Sequence, residues 1–129
     1  MAERYGADFI YSILSNDSTV TALVPAADIT EGPLVPQNNR TQETINYYRT
    51  GPYSGRAEWF ETRWSADCRS KTYKNSRDIS TAVLDALNRV NATVNGNRYY
   101  AVAEILPTLQ PVDRQDVYNT PVEIYLRRA

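Results

Sequence analysis

The sequence predicts an α+β fold, in which two or three helices pack on one face of a mostly antiparallel, mixed β-sheet of about four to five strands. Two stretches carry apolar residues at helical spacing, and several others alternate apolar with polar residues. A chain of 129 residues is long enough to bury a core of its own. We therefore expect residues 1–129 to form a single domain, in which residues 25–44 make a long polar loop or arm.

Two helices are predicted near the N-terminus. The apolar face of the first, within residues 7–14, consists of Phe9, Ile10, Ile13 and Leu14. The segment "SNDS" ends this helix, because its side chains compete for backbone hydrogen bonds and favour turns and N-caps. A short second helix is expected to begin at Asp17 or Ser18 and to stop before Pro25.

The next segment, residues 25–44, contains three prolines and has no sustained period, which is typical of an extended arm. A short strand is expected within it at residues 28–30. The segment "INYYRT" (residues 45–50) then reads as a strand, and "GPYSG" (residues 51–55) reads as the turn that ends it.

Residues 56–69 are predicted to form a strand that leads into a helix. Because side chains alternate between the two faces of a strand, one set should face the core and the other should face outward. The expected core set is Phe60, Thr62, Trp64, Ala66 and Cys68, and the expected outward set is Trp59, Glu61, Arg63, Ser65, Asp67 and Arg69.

After residue 70 the apolar residues occur at helical spacing, and after residue 91 apolar and polar residues alternate again. The predicted helix runs from about Tyr73 to Asn91, with an apolar stripe made of Ile79, Val83, Ala86, Leu87 and Val90. Asn95-Gly96 predicts a β-hairpin, since a type I′ turn needs positive φ at both positions. The segment "TPVEIYLRR" predicts a last strand, in which Pro121 marks the start of the strand or an edge of the sheet.

Composition narrows the classes of function. The net charge of −1 gives no overall attraction to nucleic acid or anionic membranes. The single cysteine, Cys68, excludes an internal disulfide and is expected to be a buried structural thiol. The N-terminal segment reads as neither a signal peptide nor a membrane span, so folding in the cytosol is expected. The ten tyrosines, and an excess of arginine over lysine, match the composition of protein interfaces or else a genomic bias.

An enzymatic site is not expected. The chain has no histidine, which removes the commonest general base and metal ligand, and it has none of the common nucleophile or phosphate-loop motifs. The pairs Glu58 with Glu61 and Asp78 with Asp85 do not converge on their predicted elements. We therefore expect no catalytic residue, cofactor or metal. A carboxylate enzyme remains an alternative, and it would need a concave site where two acidic groups converge, for which the candidates are Glu104, Asp113 and Asp116.

A nucleic-acid-binding module is a further alternative. The segment "NYYRTGPYSGR" interleaves arginines with tyrosines, as stacking platforms for single strands do. Arg49 and Arg56 lie outside any basic cluster, and Glu43, Glu58 and Glu61 offset their charge.

Three blocks resemble the tail terminator, or tail completion, family of small tailed-bacteriophage proteins. "LSNDSTVTALV" (residues 14–24) resembles the family's leading helix, polar break and short helix. Residues 35–55, from the Pro-Gln step to "INYYRTGPYSG", resemble its loop and first strand. "TRWSADCRSKTYKNSRDISTAVLDAL" (residues 62–87) is similar to its strand with a late Asp, followed by a Tyr and a helix.

The resemblance covers roughly residues 10 to 90 and implies a structural virion protein of the tail or neck, assembled in the host cytoplasm. It implies a homo-oligomeric ring, usually a hexamer, at the head-proximal end of the tail. Such a ring ends polymerisation of the tail tube and joins the tail to the head connector, with DNA only passing through its lumen. The implied partners are the tail tube protein and the head-completion or connector protein, with no membrane. The alternative is a neighbouring neck protein, such as a head completion or stopper protein.

Ring assembly gives the charged strand a role. Alternating charges penalise a wrong register at a subunit contact, because like charges repel. We therefore expect Glu61, Arg63, Asp67 and Arg69 to help set the contacts between neighbouring subunits. The alternative is a solvated sheet face, where each exposed ion pair contributes about 0–1 kcal/mol.

Overall fold

A computed structural model of the chain describes residues 5–32, 43–51, 61–105, 112–114 and 117–128. Its helices are α1 (Tyr5–Ser15), α2 (Ser18–Leu23) and α3 (Tyr73–Leu87), with one 3₁₀ turn at Ala26–Asp28. Its strands are β1 (Ile29–Glu31), β2 (Thr44–Arg49), β3 (Glu61–Ser70), β4 (Val90–Val94), β5 (Asn97–Ile105), β6 (Val112–Arg114) and β7 (Val117–Arg128).

The described strands form one mixed sheet in the order β1-β2-β3-β7-β5-β4, and β6 also pairs with β7. β1 runs parallel to β2, whereas all the other pairs are antiparallel. This confirms the predicted α+β class. The sheet has more strands than expected: β1 matches the short strand predicted at residues 28–30, whereas β6, of three residues, is too short to show a period.

The core lies between the helices and one face of the sheet. α3 packs against β3, β7 and β5, and α1 packs against α2 and α3. Ile79, Val83 and Leu87 of α3 are fully buried. They meet a layer of buried sheet residues: Ile45, Tyr47, Trp64, Ala66, Cys68, Tyr99, Ala101, Ala103, Val122, Ile124 and Leu126.

Both N-terminal helices form where the sequence predicts them. Asp17 caps α2, and its carboxylate accepts hydrogen bonds from the backbone N–H groups of Thr19 and Val20 at 3.0 Å. α1 approaches the sheet closely at Gly6, where a Cβ atom would lie 2.7 Å from the indole of Trp64. A glycine here permits the helix to rest on a large, rigid ring.

The polar side chain of Ser76 fixes α3 to the sheet. Its hydroxyl donates to the carbonyl of Cys68 at 2.7 Å and lies 2.8 Å from the hydroxyl of Thr120. Ser76 and Thr120 are both buried, so these bonds satisfy groups that water cannot reach. The start of α3 is thereby attached to β3 and β7 together.

The end of α3 differs from the prediction. The helix ends at Leu87 and not at Asn91, and Val90 is the first residue of β4. Asn88 accounts for this, since its backbone N–H bonds to Leu84 and its side-chain oxygen accepts from the N–H of Ala103 in β5. Arg89 then takes a left-handed conformation with φ 62° and reverses the chain. Val90 continues the apolar stripe but belongs to a strand.

The predicted hairpin is confirmed. Asn95 and Gly96 have φ values of 53° and 81°, as a type I′ turn requires, and they join β4 to β5.

The prediction for Pro121 was wrong. This residue lies inside β7, which is a central strand between β3 and β5. It is tolerated there because β5 ends opposite Val122 and β6 begins opposite Tyr118. Pro121 lies between these two pairings, where no described strand pairs with β7 on that side, and such a position demands no backbone N–H.

Candidate functional site

The sheet has a second face, opposite the helices, which we call the outer face. The strand alternation predicts which residues lie on it, and the register across β2, β3, β7 and β5 confirms the grouping. The rows of neighbours on this face are Thr44, Arg69 and Asn119; Asn46, Asp67 and Pro121; Tyr48, Ser65, Glu123 and Glu104; Arg63, Tyr125 and Val102; and Glu61, Arg127 and Tyr100.

The four charged residues expected at subunit contacts divide into two pairs. Glu61 and Arg63, at the start of β3, are exposed. Asp67 and Arg69 are only 4% and 7% exposed. Asp67 and Arg69 lie on the outer face as predicted, and their place at a subunit contact stays a prediction, but neither side chain is exposed to solvent. The reason is that their charges are satisfied inside the chain.

Asp67 and Arg69 form the centre of a buried polar network on the outer face. Arg69 Nη2 lies 3.1 Å from Asp67 Oδ2, and Arg69 Nη1 donates to Asn46 at 3.1 Å. Asn46 in turn donates to Thr30 of β1 at 2.7 Å, while the hydroxyl of Tyr48 donates to Asp67 at 3.1 Å. The network thus joins the side chains of three neighbouring strands.

Two features are consistent with the exclusion of water from this network. Burial, followed by the nearby carboxylate of Asp67, raises the pKa of Tyr48. The hydroxyl of Thr44 and the side-chain oxygen of Asn119 are buried, and neither has a hydrogen-bond partner within the described ranges. These two residues stand on either side of Arg69 in the register. Some polar atoms in this network therefore have hydrogen-bond partners and others have none. Because unpaired polar groups are costly at low dielectric, loss of the Asp67–Arg69 ion pair should destabilise the sheet.

The other end of the outer face is open and partly apolar. Tyr100, Val102 and Tyr125 have exposed fractions of 41%, 37% and 39%, and Val102 lies directly opposite Tyr125 on adjacent strands. Exposed tyrosines are enriched at protein contacts, because they offer planar apolar area with a polar tip.

Charged side chains surround these exposed residues. Arg127 forms an ion pair with Glu61 at 3.1 Å, and the guanidinium of Arg63 lies 5.5 Å from the ring centroid of Tyr125. Together Glu61, Arg63, Tyr100, Val102, Tyr125 and Arg127 form a surface that we call the outer patch. It lines a groove of about 460 Å³, whose shape suits side chains of a partner better than a flat surface would.

Beside the outer patch two carboxylates face each other. Glu104 of β5 and Glu123 of β7 are direct neighbours in the register. Among the described residues neither forms an ion pair with a cation. Partial desolvation, followed by the carboxylate of Glu123, raises the pKa of Tyr125. Like charges directly opposite one another destabilise a sheet, so this acidic pair is unfavourable in the isolated chain.

No catalytic arrangement is found in the part of the chain that the structure describes. Asp78 lies in an exposed ion pair with Lys74, at 2.7 Å, away from Asp85. No group of three or more Cys, Asp and Glu side chains within the described ranges lies close enough to hold a metal ion. Cys68 is fully buried, as predicted, and burial raises the pKa of its thiol.

Several sequence-based predictions fall outside the described residues. These concern the side chains of Glu58, Trp59, Phe60, Asp113 and Asp116, residues 33–42 of the arm, and residues 52–55 of the predicted turn. None of the described helices is both long and apolar enough to cross a membrane.

Of the outer patch, the sequence predicted Glu61 and Arg63 but not Arg127 or the exposed residues Tyr100, Val102 and Tyr125. Tyr100 and Val102 alternate with buried Tyr99, Ala101 and Ala103 along β5. That alternation was readable in "RYYAVAEI". What it could not reveal was that β5 and β3 flank β7, which brings Tyr100, Tyr125 and Arg63 together.

Comparison with known proteins adds a likeness of fold. No protein-family model and no curated protein matches the chain. Among solved structures, a chain from the virion of a native gene transfer agent particle is similar, with a TM-score of 0.62 and 16% sequence identity. The match covers 92% of this chain and 90% of that chain. At this identity the likeness establishes that the two chains share a fold over nearly their whole lengths.

Proposed function

We propose that this chain is a structural virion protein that forms a ring, a hexamer, at the head-proximal end of a phage tail. In this role it ends polymerisation of the tail tube and joins the tail to the head connector, while DNA passes through the lumen. The observation that carries the proposal is the fold shared with a gene transfer agent virion chain over 92% of the sequence. The resemblance of residues 10–90 to tail terminator proteins gives the specific role.

The surface chemistry supports an assembly role. The outer patch combines exposed tyrosines with arginines, a composition typical of protein contacts. Glu61 and Arg63 are the charged residues that we place at the subunit contact. Asp67 and Arg69 act from inside the chain, where Asp67 accepts from Tyr48 and Arg69 donates to Asn46, and these two hydrogen bonds link β3 to β2.

The net charge of −1 agrees with a channel through which DNA passes. A lumen with many phosphate-contacting cations would retain DNA, because each contact releases counterions and strengthens binding. A nearly neutral subunit avoids this retention.

Electron microscopy of particles assembled without this protein tests the role. Loss of a tail terminator is expected to give overlong tail tubes, which wild-type protein added back should shorten to uniform length. Tails of normal length, together with heads that leak DNA, would contradict the terminator role and indicate a stopper protein instead. Normal particles in every respect would contradict both.

A further inference from the structure

A second surface of the chain is positively charged, whereas the acidic pair is negatively charged. It lies around the start of α3, where both lysines of the protein occur. Lys71 and Arg77 are exposed, and neither forms an ion pair among the described residues. Lys74 is already paired with Asp78.

Aromatic rings accompany these cations. Tyr73 is 47% exposed, its ring centroid lies 5.8 Å from the guanidinium of Arg77, and its edge meets the ring of Tyr118 at 6.1 Å. Lys71, Tyr73 and Arg77 thus form a projecting surface, which we call the basic cluster. Glu43 contacts the neighbouring Ser70 and Asn75 rather than either free cation.

The two surfaces lie far apart. The outer patch begins at Glu61, the first residue of β3, whereas the basic cluster follows Ser70, the last. A strand of this length extends about 30 Å, at roughly 3.3 Å per residue. The outer patch also lies on the sheet face opposite α3, so one copy cannot bring the two surfaces together.

From this arrangement we infer that the basic cluster of one copy docks on the outer patch and acidic pair of the next copy. Lys71 and Arg77 would approach Glu104 and Glu123, and Tyr73 would enter the groove beside Tyr100 and Tyr125. The inference rests on the proposed ring and names its contact. It also explains the opposed glutamates, since cations from the neighbouring copy relieve their repulsion.

The geometry favours a second copy as the occupant. A ring needs two different, complementary surfaces on each subunit, because each subunit meets its neighbours head to tail. The chain offers an acidic pair beside exposed tyrosines on one surface and a cationic aromatic cluster on another, and the two surfaces do not overlap. A face-to-face dimer that joined two outer faces at their acidic pairs would instead bring four glutamates together.

Charge reversal tests the inference. The first variant carries Glu104→Lys and Glu123→Lys, and the second carries Lys71→Glu and Arg77→Glu. Each should raise the dissociation constant of assembly at least about tenfold, since like-charge contacts are strongly penalised. Asp85→Lys, on an exposed part of α3, is the matched control and should assemble as the wild type does.

Two combinations make the test sharper. An equal mixture of the two variants should assemble, because each mutated surface then meets an oppositely charged one, in rings of alternating subunits. A chain with all four reversals should assemble alone. A face-to-face dimer would not be restored in the four-reversal chain, because its outer patches would repel one another.

Sedimentation and electron microscopy read the outcome, and circular dichroism confirms that each variant is folded. If a charge-reversed variant does not fold, the variants Glu104→Gln and Lys71→Gln are used in its place. Each should weaken assembly relative to the wild type, and the difference should be smaller at high salt, where charges are screened. Rings that form normally from both reversed variants, or a four-reversal chain that stays dispersed, would overturn the inference while the ring itself stands. Wild-type protein that never assembles would instead overturn the proposed function.

Discussion

The carboxylate of Asp67 and the guanidinium of Arg69 lie 3.1 Å apart on the sheet face that the helices leave open, and both side chains are almost completely buried. The two residues are neighbours on the same face of β3, and their network reaches Asn46 and Tyr48 on β2. Their role is therefore to hold this edge of the sheet together.

Replacing Asp67 by alanine should be strongly destabilising. The change removes one partner of a buried ion pair and the acceptor of the Tyr48 hydroxyl, and such a loss costs about 3–5 kcal/mol in the free energy of unfolding. Urea denaturation measures this loss. Glu61→Ala is the matched control, because it breaks the exposed pair with Arg127 and should cost only about 0–1 kcal/mol. Equal losses in the free energy of unfolding would show that the buried ion pair contributes no more to stability than the exposed one does.

Replacing Gly6 by alanine should also destabilise the fold. The new Cβ would lie 2.7 Å from the Trp64 ring, and the overpacking should cost about 1–3 kcal/mol. A smaller ring should relieve the clash, so Gly6→Ala should be less harmful in a Trp64→Phe background. A double-mutant cycle of unfolding free energies measures this coupling. Strictly additive effects would mean that the helix does not rest on this ring.

The buried thiol of Cys68 makes stability depend on pH. Burial raises its pKa in the folded chain, whereas an unfolded cysteine ionises near pH 8.5. Above pH 8.5 only the unfolded state loses the thiol proton. The thiol's contribution to the free energy of unfolding is therefore fully present below this pH, and it falls by up to about 1.4 kcal/mol per pH unit as the pH rises further.

Denaturation at pH 7.5 to 9.5 measures this dependence, and Cys68→Ala provides the comparison. The variant should be less stable at neutral pH, since it loses buried volume, but its stability should fall less between these two values. An identical slope in both proteins would mean that the thiol ionises equally in the folded chain.

Replacing Glu104 by glutamine should stabilise the isolated subunit. It removes a carboxylate that stands directly opposite Glu123, and such a like-charge pair costs a few tenths to about 1 kcal/mol. The gain should be larger at low salt, where screening is weaker. Thermal unfolding of dilute, monomeric protein at two salt concentrations measures it. Unchanged stability at low salt would show that the carboxylates do not repel one another appreciably.

Local signals predicted most of the fold. The apolar spacing of Ile79, Val83 and Leu87 placed α3, the side chain of Asp17 marked the start of α2, and Asn95-Gly96 marked the hairpin. Each of these depends on residues close in the chain, where propensity and period act directly.

The errors arose where distant residues decide the structure. Pro121 is tolerated in a central strand only because β5 and β6 leave a gap beside it. Asp67 and Arg69 look like surface charges until β2 supplies Asn46 and Tyr48 as partners. Strand order likewise assembles the outer patch from β3, β5 and β7, so its combination of charged and aromatic side chains is visible only in three dimensions.

Ring formation by the purified chain tests the central claim most directly. Negative-stain electron microscopy should show closed rings with a central channel, and sedimentation should give a mass of about 88 kDa, six times the 14.6 kDa of one chain. A species that remains at 14.6 kDa at every concentration, with no rings in the images, would contradict the proposed ring.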